Sequence, residues 1–376
     1  MAQATAGASG NAIGGASGNA IGGASGNAIA GASGNATIYA VAQRAGVSTA
    51  TVSRALAGSP KVAPATRDAV LAAARELAYV PDASARALAG RRTGALGLVL
   101  PHIDGAYYAE LLVGFEMAAS RHDLSVTITL ANPRDDSARA VRELSGRVDG
   151  MAFMARSAAG TELVAEIARR RPVITVAREQ VPGLEALFAE NRETARDLTR
   201  HLLDHGRTRP VFVGRPEAGS DLEARHQGYC EALAEAGVQG RLLEADLAED
   251  EGSQLADRLL ADRRPDGRLA ADAIVCGNDE LALTIMTRLQ DQGVRVPEEV
   301  AITGWDDTVA AAYVRPGLTS VAQPVRRLGE LAAARLALLV DGEPADPGPV
   351  VLPSTPVFRT SCGCTTPTPR SAKELS

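Results

Sequence analysis

From Gly94 onward, short apolar runs alternate with amphipathic stretches. The runs are Leu96–Leu100, Val126–Leu130, Met151–Met154, Val173–Val176, Val211–Val213, Ala273–Cys276 and Val300–Thr303. Between and after them lie helical patterns at Tyr107–Arg121, Ala138–Ser145, Glu162–Arg170, Thr194–Asp204, Glu223–Ala236, Asn278–Gln292 and Arg326–Leu339. A strand that is apolar along its whole length is buried on both faces, and strands separated by helices return parallel. The alternation therefore predicts an α/β body of doubly wound parallel sheets with helices on both faces. Such sheets bind ligands beyond the carboxyl ends of their strands.

The stretch ahead of that body has a different period. In IYAVAQRAGVSTATVSRALAG, Val41, Ala42 and Ala45 share one face of a short helix, and Gly46 follows where the chain must turn with φ > 0. Ser48 is placed to cap a second helix, whose Val52 and Leu56 face back onto the first. Thr49, Ala50, Ser53 and Arg54 then point outward. A third helix starts near Pro64 and runs to about Leu77. This is a helix-turn-helix with an exposed second helix, the arrangement that enters a DNA major groove. Charge agrees. Residues 37–93 hold eight basic and three acidic residues, a net of +5, so the remainder carries −11 of the overall −6. A basic head on an acidic body marks a localised phosphate contact.

The ordered motifs make the pattern specific. Val41-Ala42, Ala45-Gly46-Val47-Ser48, Thr51-Val52-Ser53-Arg54-Ala55-Leu56, Thr66-Arg67, and Tyr79-Val80-Pro81 through Ala85-Arg86-Ala87-Leu88 stand in the order found in the lactose-repressor (LacI/GalR) family of transcription regulators, which the chain resembles. The resemblance extends over the body, where each family lobe is one such sheet. It implies that Thr49, Ala50 and Arg54 read base edges, while Ser48, Thr51, Ser53 and Lys61 touch phosphates. It also implies that a short hinge helix at Ala83–Ala89 wedges Leu88, with Ala85 beside it, into the minor groove. A helix this short is marginal alone in water, so its ordering can be controlled.

The expected organisation is a Gly/Ala/Ser/Asn octad repeat over 1–36, read as disordered, then a helix-turn-helix domain at 37–80 and a hinge at 81–93. An N-lobe at 94–190 is expected to be completed by about 318–335, a C-lobe at 191–317 by about 336–360, and a flexible tail to follow at 361–376. The strand ends supply the candidate effector site: Asp104, Tyr107 and Tyr108 after the first run, then Arg156, Arg178, Asp221, Arg225, Asn278, Trp305 and Asp306. The family's motifs match Asp104 to Tyr108, Arg225 before Gly228-Tyr229, Asn278-Asp279, and Gly304 to Asp307, here with Trp. Aromatic faces beside fixed donors and acceptors suit a polyhydroxylated or heterocyclic small molecule. Many family members have Asp-Arg after the fourth strand, whereas this chain has Ala177-Arg178, which weakens the case for an ordinary hexose.

Other function classes lack their residues. The two lysines, Lys61 and Lys373, lie outside any phosphate-binding glycine loop, and Asp306-Asp307 has no second acid to complete a glycosidase pair. His201 and His205 sit in HLLDH without the Glu of a zinc protease and are read as surface structure. Cys362-Gly-Cys364 lacks a second pair of donors, so these cysteines are read as reduced thiols in the tail. No catalytic residue, metal or cofactor is expected. Nor is a membrane partner, because no run approaches the ~20 apolar residues of a span and no basic-then-apolar secretory signal opens the chain. The expected protein is a cytoplasmic, homodimeric repressor that binds a pseudopalindromic double-stranded operator under control of a small-molecule effector, a sugar or sugar derivative. A solute-binding protein of a sugar transport system is the alternative. It shares the two-lobed body but not the basic head. The segment after Cys364 has no leucine heptad to add a tetramer contact.

Overall fold

A computed structural model of the chain describes residues 37–56, 58–79, 92–132 and 136–366. The octad repeat and the hinge residues Ala85 and Leu88 lie outside these. The chain divides into two compact units, Met1–Pro81 and Asp82–Ser376.

In the first unit, α1 (Ile38–Ala45), α2 (Thr49–Leu56) and α3 (Pro64–Glu76) enclose one small core. Thr37 caps α1 by accepting from the Ala40 amide, and Gly46 ends it at φ 68°. Ser48 Oγ accepts from the Thr51 amide at 3.2 Å and so starts α2. Val41, Val52 and Val70, one from each helix, are fully buried. Each contributes about 1.5–3 kcal/mol by leaving water. Ala55 is the second buried residue of α2, with Leu56 only partly covered. Arg67 donates to the Ser59 carbonyl at 2.7 Å and fixes the loop after α2.

The second unit is two lobes built to one plan. The first has a six-stranded, all-parallel sheet. Its elements are β1 (Ala95–Leu100), α4 (Ala106–Arg121), β2 (Ser125–Leu130), α5 (Ser137–Ser145), β3 (Gly150–Met154), α6 (Thr161–Ala168), β4 (Val173–Val176) and β5 (Glu185–Ala189). Leu96, Leu98 and Leu100 pack on one face with α4, while Val99 and Phe153 pack on the other with α5 and α6. The second lobe carries α7 (Arg192–Asp204), β6 (Pro210–Val213), α8 (Asp221–Ala236), β7 (Arg241–Leu243), α9 (Glu249–Ala261), β8 (Ala273–Cys276), α10 (Asp279–Asp291), β9 (Ala301–Thr303) and α11 (Val309–Tyr313). Its parallel sheet runs β7-β6-β8-β9.

The chain then crosses between lobes. β10 (Ser320–Ala322) pairs antiparallel with β12 (Thr355–Val357) on the C-lobe side. Between them, α12 (Val325–Asp341) packs against α4, and β11 (Pro349–Leu352) becomes the edge strand beside β5. This corrects the expected division at 335/336. Leu328, Ala332, Ala333 and Leu336 form one buried stripe, so α12 goes whole to the N-lobe with β11, while β10 and β12 go to the C-lobe. The expected tail is corrected as well. Ser361 and Cys362 are fully buried in a 3-10 turn (Thr360–Cys362), where Ser361 Oγ donates to the Ile302 carbonyl at 2.6 Å.

The same devices recur in both lobes. Asp149 accepts from the amides of Thr93 and Gly94 at 2.7 and 2.8 Å, leading into β1. Asp272 accepts from the amides of Thr208 and Arg209 at 3.0 and 2.8 Å, leading into β6. Each lobe also has a helix pair in backbone contact at glycine. A Cβ at Gly329 of α12 would lie 2.2 Å from the Leu111 carbonyl of α4, and one at Gly228 of α8 would lie 2.0 Å from the Arg192 carbonyl of α7. Only glycine permits that approach. Gly329→Ala is therefore expected to destabilise the N-lobe by about 1–3 kcal/mol or more through overpacking, lowering Tm by about 5 °C. Gly146→Ala, with φ −76° and its nearest neighbour at 3.5 Å, is the control and leaves Tm unchanged. Equal melting of the two variants in calorimetry would contradict this packing.

Candidate functional site: an interlobe cleft and an exposed second helix

Three helix N-termini converge on the space between the lobes. α4 begins after Gly105 at φ 83°, α8 is capped by Ser220 Oγ, which accepts from the Glu223 amide, and α10 is capped by Asn278 Oδ1, which accepts from the Leu281 amide. They bound a cavity of about 130 Å³ lined from both lobes. At its rim the lobes approach closely: a Cβ on Gly105 would lie 2.6 Å from Glu280 Oε1.

Eight of the ten expected effector residues line this cavity: Asp104, Tyr107, Tyr108, Arg156, Asp221, Arg225, Asn278 and Asp306. Two do not. Arg178 turns away and donates to the Ala159 carbonyl at 3.0 Å, leaving Ala177 on the wall. Trp305 is buried beneath Arg225, with the guanidinium carbon 4.5 Å from its ring centroid. Trp305 thus supports Arg225 from below, a cation–π arrangement.

Arg225 is the most constrained group. It is 5% exposed, donates from Nε to Asn191 Oδ1 at 2.8 Å and from Nη1 to the Gly277 carbonyl at 2.6 Å, and lies 3.8 Å from the Asp221 carboxylate. Burial pushes Asp221 up to about 6, against the downward pull of Arg225 and a hydrogen bond from Asn191. Asp306 rises further, to about 8. Burial is again the main cause, Asp279 and Glu280 add to it, and Arg225 and the Gln323 amide oppose it. The Gln323 Nε2 donates to Asp306 Oδ1 at 2.5 Å. Tyr107 and Tyr108 meet edge to face, their ring centroids 5.3 Å apart, and burial drives both phenols upward, Tyr108 to about 12. Both remain neutral donors and acceptors at physiological pH.

Asp279 and Asp307 are structural braces. Asp279 accepts from Ser320 Oγ at 2.6 Å and the Thr308 amide at 2.7 Å, and Asp307 pairs with the buried Arg359. Arg156, Ala177, Asp306 and Asp307 hold positive φ (59°, 55°, 110° and 48°), a concentration of backbone strain at strand ends facing the cleft. The sequence reading had no motif to select His102, Arg215, Glu217, Asp246, Glu280 and Thr308, which also line it. Their shared signal is position, since each follows a strand or opens a helix.

On the first unit, Ser48, Ala50, Ser53, Arg54 and Lys61 are exposed, and Thr49 and Thr51 partly so. They surround the N-terminal half of α2 and the loop beyond it. Ser48 and Thr51 share a hydroxyl contact of 2.9 Å. Tyr39, 73% exposed near the start of α1, was not singled out from sequence. Ala85 and Leu88 lie outside the described residues.

The sequence set aside two pairs, His201/His205 and Cys362/Cys364, as surface structure and tail thiols. The fold brings all four together, their ligand atoms within 4.8 Å of one another.

A helix-turn-helix unit joined to a two-lobed body with an interlobe cleft defines a ligand-binding DNA-associated regulator as a class. Residues 37–82 match the model of bacterial regulatory proteins of the lacI family, and residues 199–362 match the periplasmic binding protein-like domain. The chain is 34% identical over 335 residues to catabolite control protein A of Priestia megaterium, spanning 86% of this chain and 98% of that protein. Among solved structures, the transcriptional regulator CelR–cellobiose complex aligns at 30% identity and TM-score 0.64, covering 87% of this chain and all of that one. The lac repressor dimer bound to operator and an anti-inducer aligns at 25% and 0.76, covering 88% and 99%. The chain belongs to the lacI family of bacterial regulatory proteins.

Asp306 gives a pH-dependent expectation. Its folded pKa, about 8, stands above its ordinary 3.8, so its contribution to stability is present at low pH and is lost as pH rises from about 4 through 8. Asp306→Asn removes a carboxylate that is costly to ionise. Without added ligand, its Tm is expected to match the wild type near pH 3.5 and to exceed it by a margin that grows with pH, reaching at least about 2–5 °C at pH 8.5. A gain that is equal at both pH values would show that ionisation is not the cause.

Proposed function

We propose that this chain is a cytoplasmic, homodimeric transcription repressor whose hold on a pseudopalindromic operator is set by a neutral polyhydroxylated effector, a sugar or sugar derivative, in the interlobe cleft. The observation that carries the reading is the donor set at Arg225. A locked guanidinium, two carboxylates and two adjacent tyrosine rings offer fixed hydrogen bonds and an apolar platform, the combination that takes a ring bearing several hydroxyls. The side chain of Ala177 leaves room on the wall where many family members have a carboxylate. Two of the similar structures are ligand complexes, with cellobiose for CelR and an anti-inducer for the lac repressor.

On the DNA side, Arg54 donates to guanine O6 and N7, Thr49 and Ala50 make short contacts to base edges, and Ser48, Thr51, Ser53 and Lys61 hold phosphates. Two copies related by a twofold axis meet two half-sites, with Ala85 and Leu88 wedging the central step. Val113 and Met117, exposed four apart on α4, give a second copy an apolar surface to cover. The cleft binds rather than catalyses: its innermost carboxylates, Asp221 and Asp306, are engaged by Arg225 and Gln323, and no nucleophile and base are seen paired among its lining residues. No helix among the described residues is long and apolar enough to cross a membrane. A transport-system binding protein would have no use for the head.

Two measurements test the reading. Leu88→Ala should weaken binding to a palindromic site from upstream of the chain's own gene by on the order of tenfold or more, while leaving effector binding intact; unchanged operator affinity would sink the wedge. A thermal-shift screen of sugars, nucleosides and sugar phosphates should yield a ligand whose shift disappears in both Arg225→Ala and Asp221→Asn. A shift retained in both variants would move the effector elsewhere.

A further inference from the structure

His201 lies in the last turn of α7 and His205 is its C-cap, four residues on, so both rings leave the same face of the helix end. The chain end folds back against them. Cys362 closes the 3-10 turn and Cys364 follows across Gly363, which holds φ 113°. Three His–Cys approaches are equal. His201 Nε2 lies 3.4 Å from Cys362 Sγ and 3.4 Å from Cys364 Sγ, and His205 Nε2 lies 3.4 Å from Cys364 Sγ. With metal–sulfur and metal–nitrogen bonds of about 2.3 and 2.0–2.1 Å, a tetrahedral ion sets its ligands about 3.3–3.8 Å apart. Three of the donor pairs therefore already stand at the edge length of such a tetrahedron, and all four donor atoms lie within 4.8 Å of one another.

Both sides of the cluster are held by contacts independent of any ion. On the helix side, the His201 ring lies against Phe358 at 4.1 Å between centroids. On the chain-end side, Arg359 pairs with Asp307, and Ser361 bonds to the Ile302 carbonyl and the Thr319 amide. A Cys-x-Cys spacing is one residue tighter than usual for zinc. Gly363 makes it workable, because its positive φ turns the second thiol back beside the first. Two thiolates with two imidazoles in a closed tetrahedron favour Zn²⁺ over oxygen-seeking cations.

We propose that His201, His205, Cys362 and Cys364 form a structural Cys2His2 zinc site that fastens the chain end to α7 of the C-lobe. On binding, the two thiols release their protons to solvent and each sulfur donates an electron pair to the metal; the Cys362 proton now shared with the Arg359 carbonyl is one of them. The imidazoles bind neutral through Nε2, and no oxidation or reduction occurs. His201 sits about 15 Å along α7 from Asn191, which holds Arg225, so the site stabilises the lobe from the end remote from the effector.

The test uses the reduced full-length chain, with Co²⁺ alone and Zn²⁺ alone as probes. The wild type is expected to take about one Co²⁺ per chain with the visible bands and thiolate charge transfer of a tetrahedral sulfur–nitrogen site, and Zn²⁺ should displace it. Zinc at about 100 times its Kd should raise Tm by about 5–10 °C. Cys364→Ser and His205→Asn change the two more accessible ligands, so the fold should survive, as circular dichroism and operator binding will report. Both variants should lose the cobalt spectrum and the zinc-induced shift. The proposal is overturned if the reduced wild type gives no tetrahedral spectrum, if a Cys362–Cys364 disulfide persists under reduction, or if both variants bind metal and gain Tm as the wild type does.

Discussion

The C-lobe's half of the cleft is assembled around one buried cation. The Arg225 guanidinium reaches Asn191 at the crossover into α7, the carbonyl of Gly277 after β8, Asp221 at the start of α8 and the face of Trp305 after β9. Burying an arginine is costly unless it is paired, and its partners here come from four separate elements. Removing the side chain would leave an amide, a carbonyl and a carboxylate unsatisfied together, a loss greater than that of any single hydrogen bond. The strand ends of this lobe are therefore positioned by the same group that lines the cleft.

Around that centre the two lobes repeat each other. An aspartate holds the lead-in to the first strand, at Asp149 and Asp272, and a glycine lets two helices touch at their backbones, at Gly329 and Gly228. Ion pairs Arg326–Glu110 and Arg192–Glu231 accompany those crossings. Contacts this close do not slide. Each lobe therefore acts as one stiff body, and movement between lobes falls to the three connecting segments around residues 190, 323 and 353. The first and third are joined by the Glu190 amide, which donates to the Leu352 carbonyl at 2.7 Å.

Much of this was legible in the sequence, because the strands buried on both faces are continuous apolar runs and the cap at Ser48 occupies its expected place. What escaped did so for physical reasons. β5 opens with Glu185, a poor strand signal alone, yet it is buried because Arg335 grips its carboxylate at 2.6 Å. β7 is short and exposed, and α9 is led by three acids, so neither stands out by apolar pattern. α12 was divided because its stripe of small residues does not announce which lobe it serves. Arg178 and Trp305 follow strands as contact residues should, but which way a side chain turns beside the positive-φ residues Ala177 and Asp306 is a tertiary fact. The His and Cys pairs lie about 160 residues apart, and each alone is unremarkable.

The elevated carboxylates suggest where effector energy is realised. Burial opposes the ionisation of Asp221 and Asp306, Asp279 and Glu280 oppose that of Asp306 further, and Arg225 is the buried counter-charge that favours the charged form of both. A ligand whose hydroxyls donate to Asp221 and Asp306 stabilises their charged forms in the closed arrangement and has nothing comparable to offer when the lobes part. That difference between states, rather than total affinity, is what shifts a conformational equilibrium. An anionic ligand would instead add charge beside Asp104, Glu280 and Asp306, all of which line the cavity. The electrostatics thus favour neutral polyols over sugar phosphates, a preference that rests on charge placement and not on the shape of any one sugar.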